Sequence, residues 1–249
     1  MNAIENLSKA GYAFVPAAEL GALLHVDVAQ LGPLEEWWAS LPRDQYLRDG
    51  GRYRARRHSC FVQDLAPAGQ RTGPGAGVGS TSALKQVPHR PHWQPTSYNA
   101  LHGGLERWFE PIEPAVSKAP VWTQLLASIG SVFGQIRPVD RWFIEAHQFR
   151  IDTTDGIGRP TPEGAHRDGV DFVALLLVRR RNVRGGETRV FDAHGPSGVR
   201  FTMQEPWSLL LMDDERVIHE TTPIQPDGEG GVRDTLVLTY RAGGFQAPV

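Results

Sequence analysis

The sequence predicts a mainly-β fold with flanking α-helices, the helices packing against a β-sandwich or barrel. Three observations carry this. From Trp142 onward, short segments rich in β-branched and aromatic residues are separated by Gly/Pro turns, the pattern of an all-β region. Apolar residues at helical spacing are confined to the first half. The composition, 40% hydrophobic and 22% charged over 249 residues, is that of a chain that buries its own core. No linker-like stretch divides the halves. Residues 1–249 are therefore read as a single domain, with 1–140 a helix-containing part packed on the barrel and 141–249 most of its strands.

Tyr12-Ala13-Phe14-Val15 reads as a short opening strand. From Ala17 the apolar spacing turns helical and runs to about Leu31. Leu34, Trp37, Trp38 and Leu41 continue it until Pro42 stops the helix. Arg54 to Cys60 reads as a strand with Cys60 buried in it. The glycines of residues 66–80 invite a phosphate-loop reading, but Ser80-Thr81 stand where that loop requires a lysine. The segment reads instead as a surface loop. His89 and His92 flank Pro91, which argues against a shared helical face, so no metal site is expected there. Val121, Leu125, Ile129 and Val132 mark a helix that begins near Pro120 and ends near Gly134. Strands follow over 142–151, 172–178, 188–192, 208–212 and 235–241. The apolar run from Phe172 to Val178 suits a buried strand and is far too short to span a bilayer.

Charge and cysteine content exclude several classes. With 26 Lys+Arg against 28 Asp+Glu the net charge is −2, which gives nucleic acid no electrostatic footprint. Cys60 is the single cysteine, so no intramolecular disulfide can form. Met1 to Asn6 carry no basic leader. The chain is read as cytoplasmic, without a nucleic-acid or membrane partner. Its oligomeric state stays open, a homodimer included.

Three pieces carry chemistry. His166 and Asp168 are two apart in Glu163-Gly164-Ala165-His166-Arg167-Asp168-Gly169. On an extended strand they would point to the same face and converge on one ion. A surface salt bridge would also explain that pair alone. His219 closes a strand-like segment later in the same β-rich half. Two imidazoles and a carboxylate form the facial arrangement that leaves other positions on Fe(II) open, although catalytic zinc accepts the same set. Arg233 and Thr235 share a face of the next strand. A guanidinium and a hydroxyl aimed into a barrel suit a ligand carboxylate. A simple zinc hydrolase has no use for them; 2-oxoglutarate does.

With these residues in place, the chain resembles the bacterial Fe(II)/2-oxoglutarate-dependent dioxygenases of the L-isoleucine 4-hydroxylase type, which act on free L-amino acids. The resemblance runs from Tyr53-Arg54-Ala55-Arg56 through Tyr98-Asn99, Gly103-Gly104-Leu105-Glu106-Arg107 and His147-Gln148-Phe149-Arg150. It continues through His166-Arg167-Asp168, Gly185-Gly186-Glu187 and His219-Glu220-Thr221-Thr222-Pro223 to Arg233-Asp234-Thr235. It implies a double-stranded β-helix, the cupin-like jelly roll, with His166, Asp168 and His219 as iron ligands and Arg233 on the distal carboxylate of 2-oxoglutarate. Where the family carries a tyrosine and a serine that help bind the co-substrate, this chain has Ile151 and Pro160. Thr235 or His147 is left to supply those hydrogen bonds, and His147 shares a strand face with Phe149 and Ile151.

The implied cofactors are Fe(II), with 2-oxoglutarate and O2 as co-substrates. The implied reaction is hydroxylation of an unactivated C–H of a small substrate, a free L-amino acid, with release of succinate and CO2. Arg54 and Arg56 are the candidates for the substrate carboxylate, against a solvated basic run over Arg52 to Arg57. Tyr98 and Asn99 are candidates for polar contacts, against a structural turn. The loops 66–80 and 153–162 have the glycine content of lids. Two other readings stay open: an oxygenase acting on a carrier-bound or macromolecular substrate, and a cupin-like metal-binding protein that is not an oxygenase. The second leaves Arg233 without a role.

Overall fold

The computed structural model describes residues 2–66 and 84–248. Helix α1 (Ala3–Ala10) turns through Gly11, at φ 78°, into strand β1 (Tyr12–Val15), and helix α2 (Ala17–Leu24) follows. The expected continuation of this helix to Leu31 is not formed. His25 adopts the left-handed region at φ 53°, and Asp27 caps a 3-10 helix over Val28–Ser40. Pro33 inside that helix has no N–H to give an α-helical bond. Three-residue turns instead bring Leu31, Leu34 and Trp37 to one side, and Trp38 is fully buried.

Strands β2 (Arg54–Asp64) and β3 (Leu84–Gln86) precede helices α3 (Pro114–Ser117) and α4 (Pro120–Ile136). The rest is strand: β4 (Arg141–Asp152), β5 (Phe172–Arg181), β6 (Val183–Gly185), β7 (Thr188–Asp192) and β8 (Gly198–Phe201), then β9 (Leu209–Asp213), β10 (Val217–Thr221), β11 (Ile224–Pro226) and β12 (Val232–Arg241). One sheet has the order β1-β9-β5-β12-β4-β2-β3; two smaller ones are β10-β7-β8 and β11-β6. The first part of the chain thus contributes three strands to the large sheet as well as the helices.

Both faces of the large sheet are covered, which explains the unbroken apolar run in β5. Phe172, Ala174, Leu176 and Val178 join the helix-side core with Trp122, Leu125 and Phe133 of α4. Val173, Leu175 and Leu177 join a second core with Val190 of β7 and Val217 of β10. Phe133 stacks on Phe172 with centroids 4.5 Å apart. The aromatic polar atoms are satisfied on the same side: Trp38 Nε1 donates to Thr235 O at 3.0 Å and Trp142 Nε1 to Gly130 O at 2.9 Å. Each fully buried side chain of this size contributes about 1.5–3 kcal/mol.

Register positions the cavity. On its inner face the large sheet lays residues in rows across β12, β4 and β2: Arg233, Ile151 and Arg54; Thr235, Phe149 and Arg56; Val237, His147 and His58. Thr239, Glu145 and Cys60 form the next row. Among the described residues no helix is long and apolar enough to cross a membrane.

Candidate active site

His166, Asp168 and His219 come together, with their ligand-type atoms all within 4.8 Å of one another. His166 Nε2 lies 3.8 Å and His219 Nε2 3.6 Å from the Asp168 carboxylate. The expected strand for His166 and Asp168 is not present. A single antiparallel bridge joins His166 to His219, each N–H donating to the other's carbonyl at 3.0 Å, and Asp168 sits in the loop beyond. Asp214, in the turn between β9 and β10, holds that loop. Its carboxylate accepts the backbone N–H groups of Asp168, Gly169 and Val170 at 3.0, 2.8 and 3.1 Å.

The donor set fits a divalent transition metal. His166 Nδ1 donates to Gly164 O at 2.9 Å, which leaves the Nε2 lone pair for an ion, the usual outer bond of a metal-binding histidine. Two imidazoles and one carboxylate match the ligand preference of non-haem Fe(II) and leave room for further ligands. Burial and Glu163 raise the Asp168 carboxyl, while burial and His166 hold His219 down at about 3.

Arg233 faces the same cavity, 2% exposed. Its Nε and Nη2 have no partner among the described residues. Arg180, one strand away in register, also keeps a buried Nη1 without a partner. Burial and Arg180 push the Arg233 guanidinium down to about 10. A buried guanidinium with two free donors, beside a half-buried one, leaves a hole shaped for an anion. Thr235 and Thr221 line it too. Asp234, next in sequence, points to the other face and is held by Arg150 at 2.7–2.8 Å. A dicarboxylate co-substrate fits these residues.

The remaining sequence candidates divide. Arg54 and Arg56 line the cavity and are buried, not part of a solvated basic run. Arg54 Nε donates to Asp44 at 2.7 Å, and its Nη2 has no partner among the described residues. Arg56 lies over the rings of Phe109 and Phe149, 3.8 and 4.3 Å from their centroids, and donates to His147 Nδ1 at 2.7 Å. His147 faces the cavity as expected, but two rows from Arg233. Asn99 lines the cavity with its amide engaged inside a turn: Oδ1 accepts from His102 N and Nδ2 donates to Gln94. Tyr98 is the correction. It is 36% exposed and is absent from the cavity lining. Its ring lies where a Cβ on Gly169 would stand, 2.5 Å away, so it packs on the loop after Asp168. The 66–80 loop lies, but for Ala66, outside the described residues; Pro160 and Thr161 of the other loop line the cavity.

Several residues were not read from the sequence. Gln94 links two parts of the site: Nε2 donates to Asp168 at 3.2 Å, and Oε1 accepts from Arg107 at 2.9 Å. Burial and Arg54 push the Arg107 guanidinium down to about 10. A second group, His58, His92, Glu145 and His147, also brings its ligand-type atoms within 4.8 Å. His92 belongs to this group, while its sequence neighbour His89 donates from Nε2 to Phe109 O at 2.8 Å.

Comparison with known proteins agrees with this geometry. The 2OG-Fe dioxygenase family profile matches residues 35–239. The structure resembles a bsmA homolog from Methylobium petroleophilum PM1, with 50% identity, a TM-score of 0.89 and coverage of 99% of this chain and 94% of that one. It also resembles IDO from Bacillus thuringiensis, at 17% identity, TM-score 0.73 and coverage of 96% and 97%. The Fe(II)/(alpha)ketoglutarate-dependent dioxygenase TqaL is similar at 19% identity, TM-score 0.68 and coverage of 96% and 85%. The last two likenesses show the shared jelly-roll fold. No curated protein matches the chain.

Proposed function

Because the chain belongs to the 2OG-Fe dioxygenase family, whose members use Fe(II), 2-oxoglutarate and O2, we propose that it hydroxylates an unactivated C–H of a free L-amino acid. The isoleucine-hydroxylase resemblance and the paired anion subsites support this reading. His166, Asp168 and His219 would hold the iron. When bound, iron and 2-oxoglutarate together supply the oxidising power for hydroxylation, one oxygen atom of O2 entering the product and the other succinate.

The chain's own residues bind and orient. Arg233 takes the distal carboxylate of 2-oxoglutarate with two parallel hydrogen bonds from its free donors. Ile151 separates Arg233 from Arg54 in one row, about 10 Å apart at two strand spacings. The substrate carboxylate binds on the Arg54 side, next to Arg107. Co-substrate and substrate therefore lie side by side on the sheet, with Ile151 and Phe149 of β4 as the apolar floor between them. A reducing cytoplasm suits both ferrous iron and the thiol of Cys60.

The observation that carries this reading is the Arg233 guanidinium, whose Nε and Nη2 have no partner among the described residues, in the cavity that also holds the His/Asp/His group. The test is succinate formation from 2-oxoglutarate with a panel of free L-amino acids, with mass detection of one added oxygen atom. An amino acid that stimulates succinate and gains oxygen supports it. Succinate without stimulation by any amino acid moves the substrate to a carrier or macromolecule. Arg233→Ala removes two or more charge-assisted bonds at about 1.5–3 kcal/mol each and should weaken 2-oxoglutarate binding by about 100-fold or more. Unchanged binding would reassign the anchor.

A further inference from the structure

On the β2 side of the cavity three imidazoles surround one carboxylate. β-Pairing sets His58 beside His147 and Cys60 beside Glu145. His92 arrives from the covering segment, pinned by a backbone bridge to Arg107. Glu145 accepts from His58 Nε2 at 3.0 Å and from His92 Nδ1 at 2.6 Å. The close approach of four ligand-type atoms would admit a metal ion, but the hydrogen bonds occupy them otherwise. A metal-binding histidine donates its second N–H to an acceptor. Here His58 Nδ1 has no partner among the described residues, and His147 Nδ1 accepts from the Arg56 guanidinium. Arg56 and Arg107 add positive charge beside the group. The network fixes tautomers.

The consequence falls on His92. Burial pushes its pKa down to about 3, so the ring is neutral. With the proton on Nδ1, held by Glu145, Nε2 carries a lone pair. His92 lines the cavity, and its Nε2 makes no hydrogen bond among the described residues. Gln94, Arg56 and Arg107 line the same cavity, as do the aliphatic residues Val173, Leu175 and Val237 of β5 and β12, Val237 being the register partner of His147. Gln94 already has its amide engaged at both ends. Among the described residues Glu163 also offers a buried carboxylate oxygen without a partner, but it stands beside His166; on the β2 side of the cavity the acceptor on offer is His92 Nε2. The nearby guanidiniums oppose a cationic partner, and an anionic one has no hydrogen to give.

Resting on the amino-acid reading above, we propose that His92 Nε2 accepts a hydrogen bond from the substrate's side chain. Glu145 is the positioning residue that presents it. The substrate is then an amino acid with a neutral N–H or O–H group in its side chain, such as an amide, hydroxyl or imidazole, and not an aliphatic one. A site built to pair with such a group rejects the analogue that lacks it by about 10⁴-fold or more.

The experiment runs the iron-loaded enzyme with two sets of free amino acids. Asparagine, glutamine, serine, threonine and histidine carry the donor; leucine, isoleucine, valine and methionine lack it. Stimulated succinate and calorimetric binding are both read. The proposal expects the donor set to win by at least 100-fold in kcat/KM. It expects His92→Phe to erase that preference, His92→Gln, which restores an acceptor, to recover part of it, and Glu145→Gln to raise the KM for the amino acid more than it lowers kcat. A wild-type preference for the aliphatic set overturns the proposal and leaves the amino-acid reading standing, as does a preference unmoved by His92→Phe. Failure of every amino acid to bind or stimulate overturns both.

Discussion

Asp214 offers a test of how the metal site is held. Its buried carboxylate accepts three backbone N–H groups from the loop that carries Asp168. Asp214→Asn keeps the shape but exchanges one oxygen for an NH2 group. If the amide oxygen keeps Gly169 and Val170, the NH2 faces the Asp168 N–H, donor against donor. One hydrogen bond to a charged group is lost, worth about 1.5–3 kcal/mol, and a buried donor is left unpaired. The loop supplies one of the three proposed ligands, so much of that loss should appear in metal binding. Outer-shell changes commonly reduce affinity 10- to 100-fold, or about 1.4–2.7 kcal/mol. Anaerobic titration with Fe(II) or Co(II), alongside urea unfolding of the metal-free protein, separates the two effects. Wild-type affinity together with wild-type stability would refute the reasoning that Asp214 organises the site.

Further expectations follow from the same geometry. Asp168→Ala removes one of three ligands and should abolish substrate-coupled succinate; full activity in a purified protein of measured iron content would sink the ligand assignment. Gly130→Ala puts a Cβ 1.9 Å from Gln63 Oε1 and 3.1 Å from the Tyr240 ring. This overpacking should lower stability by about 1–3 kcal/mol in urea denaturation, and an unchanged midpoint would show that α4 can shift. Burial holds His92 neutral down to about pH 3, while the unfolded chain takes up its proton near 6.5. The folded pKa is depressed, so this stability is present above pH 6.5 and is lost as pH falls toward 3. Between pH 7 and 5.5 the loss from His92 is about 1 kcal/mol, and His58 and His147, also lowered by burial, act in the same direction. His92→Phe should flatten the pH slope of the unfolding midpoint; an equal slope in both proteins would count against the buried neutral ring.

The parts of this protein legible in the sequence are those with a local period or a fixed spacing. The unbroken apolar run from Phe172 to Val178 and the helical period from Val121 to Val132 were legible as a buried strand and a helix. His166, Asp168, His219 and Arg233 were found because their chemistry has a spacing along the chain. The 3-10 helix was missed because Leu31, Leu34, Trp37 and Trp38 fit a period of 3.6 nearly as well as 3.0, and only Pro33 argued otherwise. Cross-strand register left no local trace. Nothing near His58 announces His147, nothing near Arg233 announces Arg180, and Asp214 reaches a loop far behind it in sequence. One signal was available: alternate residues Arg54, Arg56, His58 and Cys60 share a strand face, which a reading of the basic run as solvated surface obscured.

The backbone bridge between His166 and His219 also closes a long loop of the chain. These residues stand 53 apart in sequence, 166 to 219. Closing a flexible loop of that length costs about 3.5 kcal/mol in chain entropy. In proteins whose metal performs the closure, chelation and unfolding are one event. Here paired carbonyls and N–H groups have already joined the two ends. The closure thus rests on backbone groups, separate from the side-chain atoms that would hold the ion.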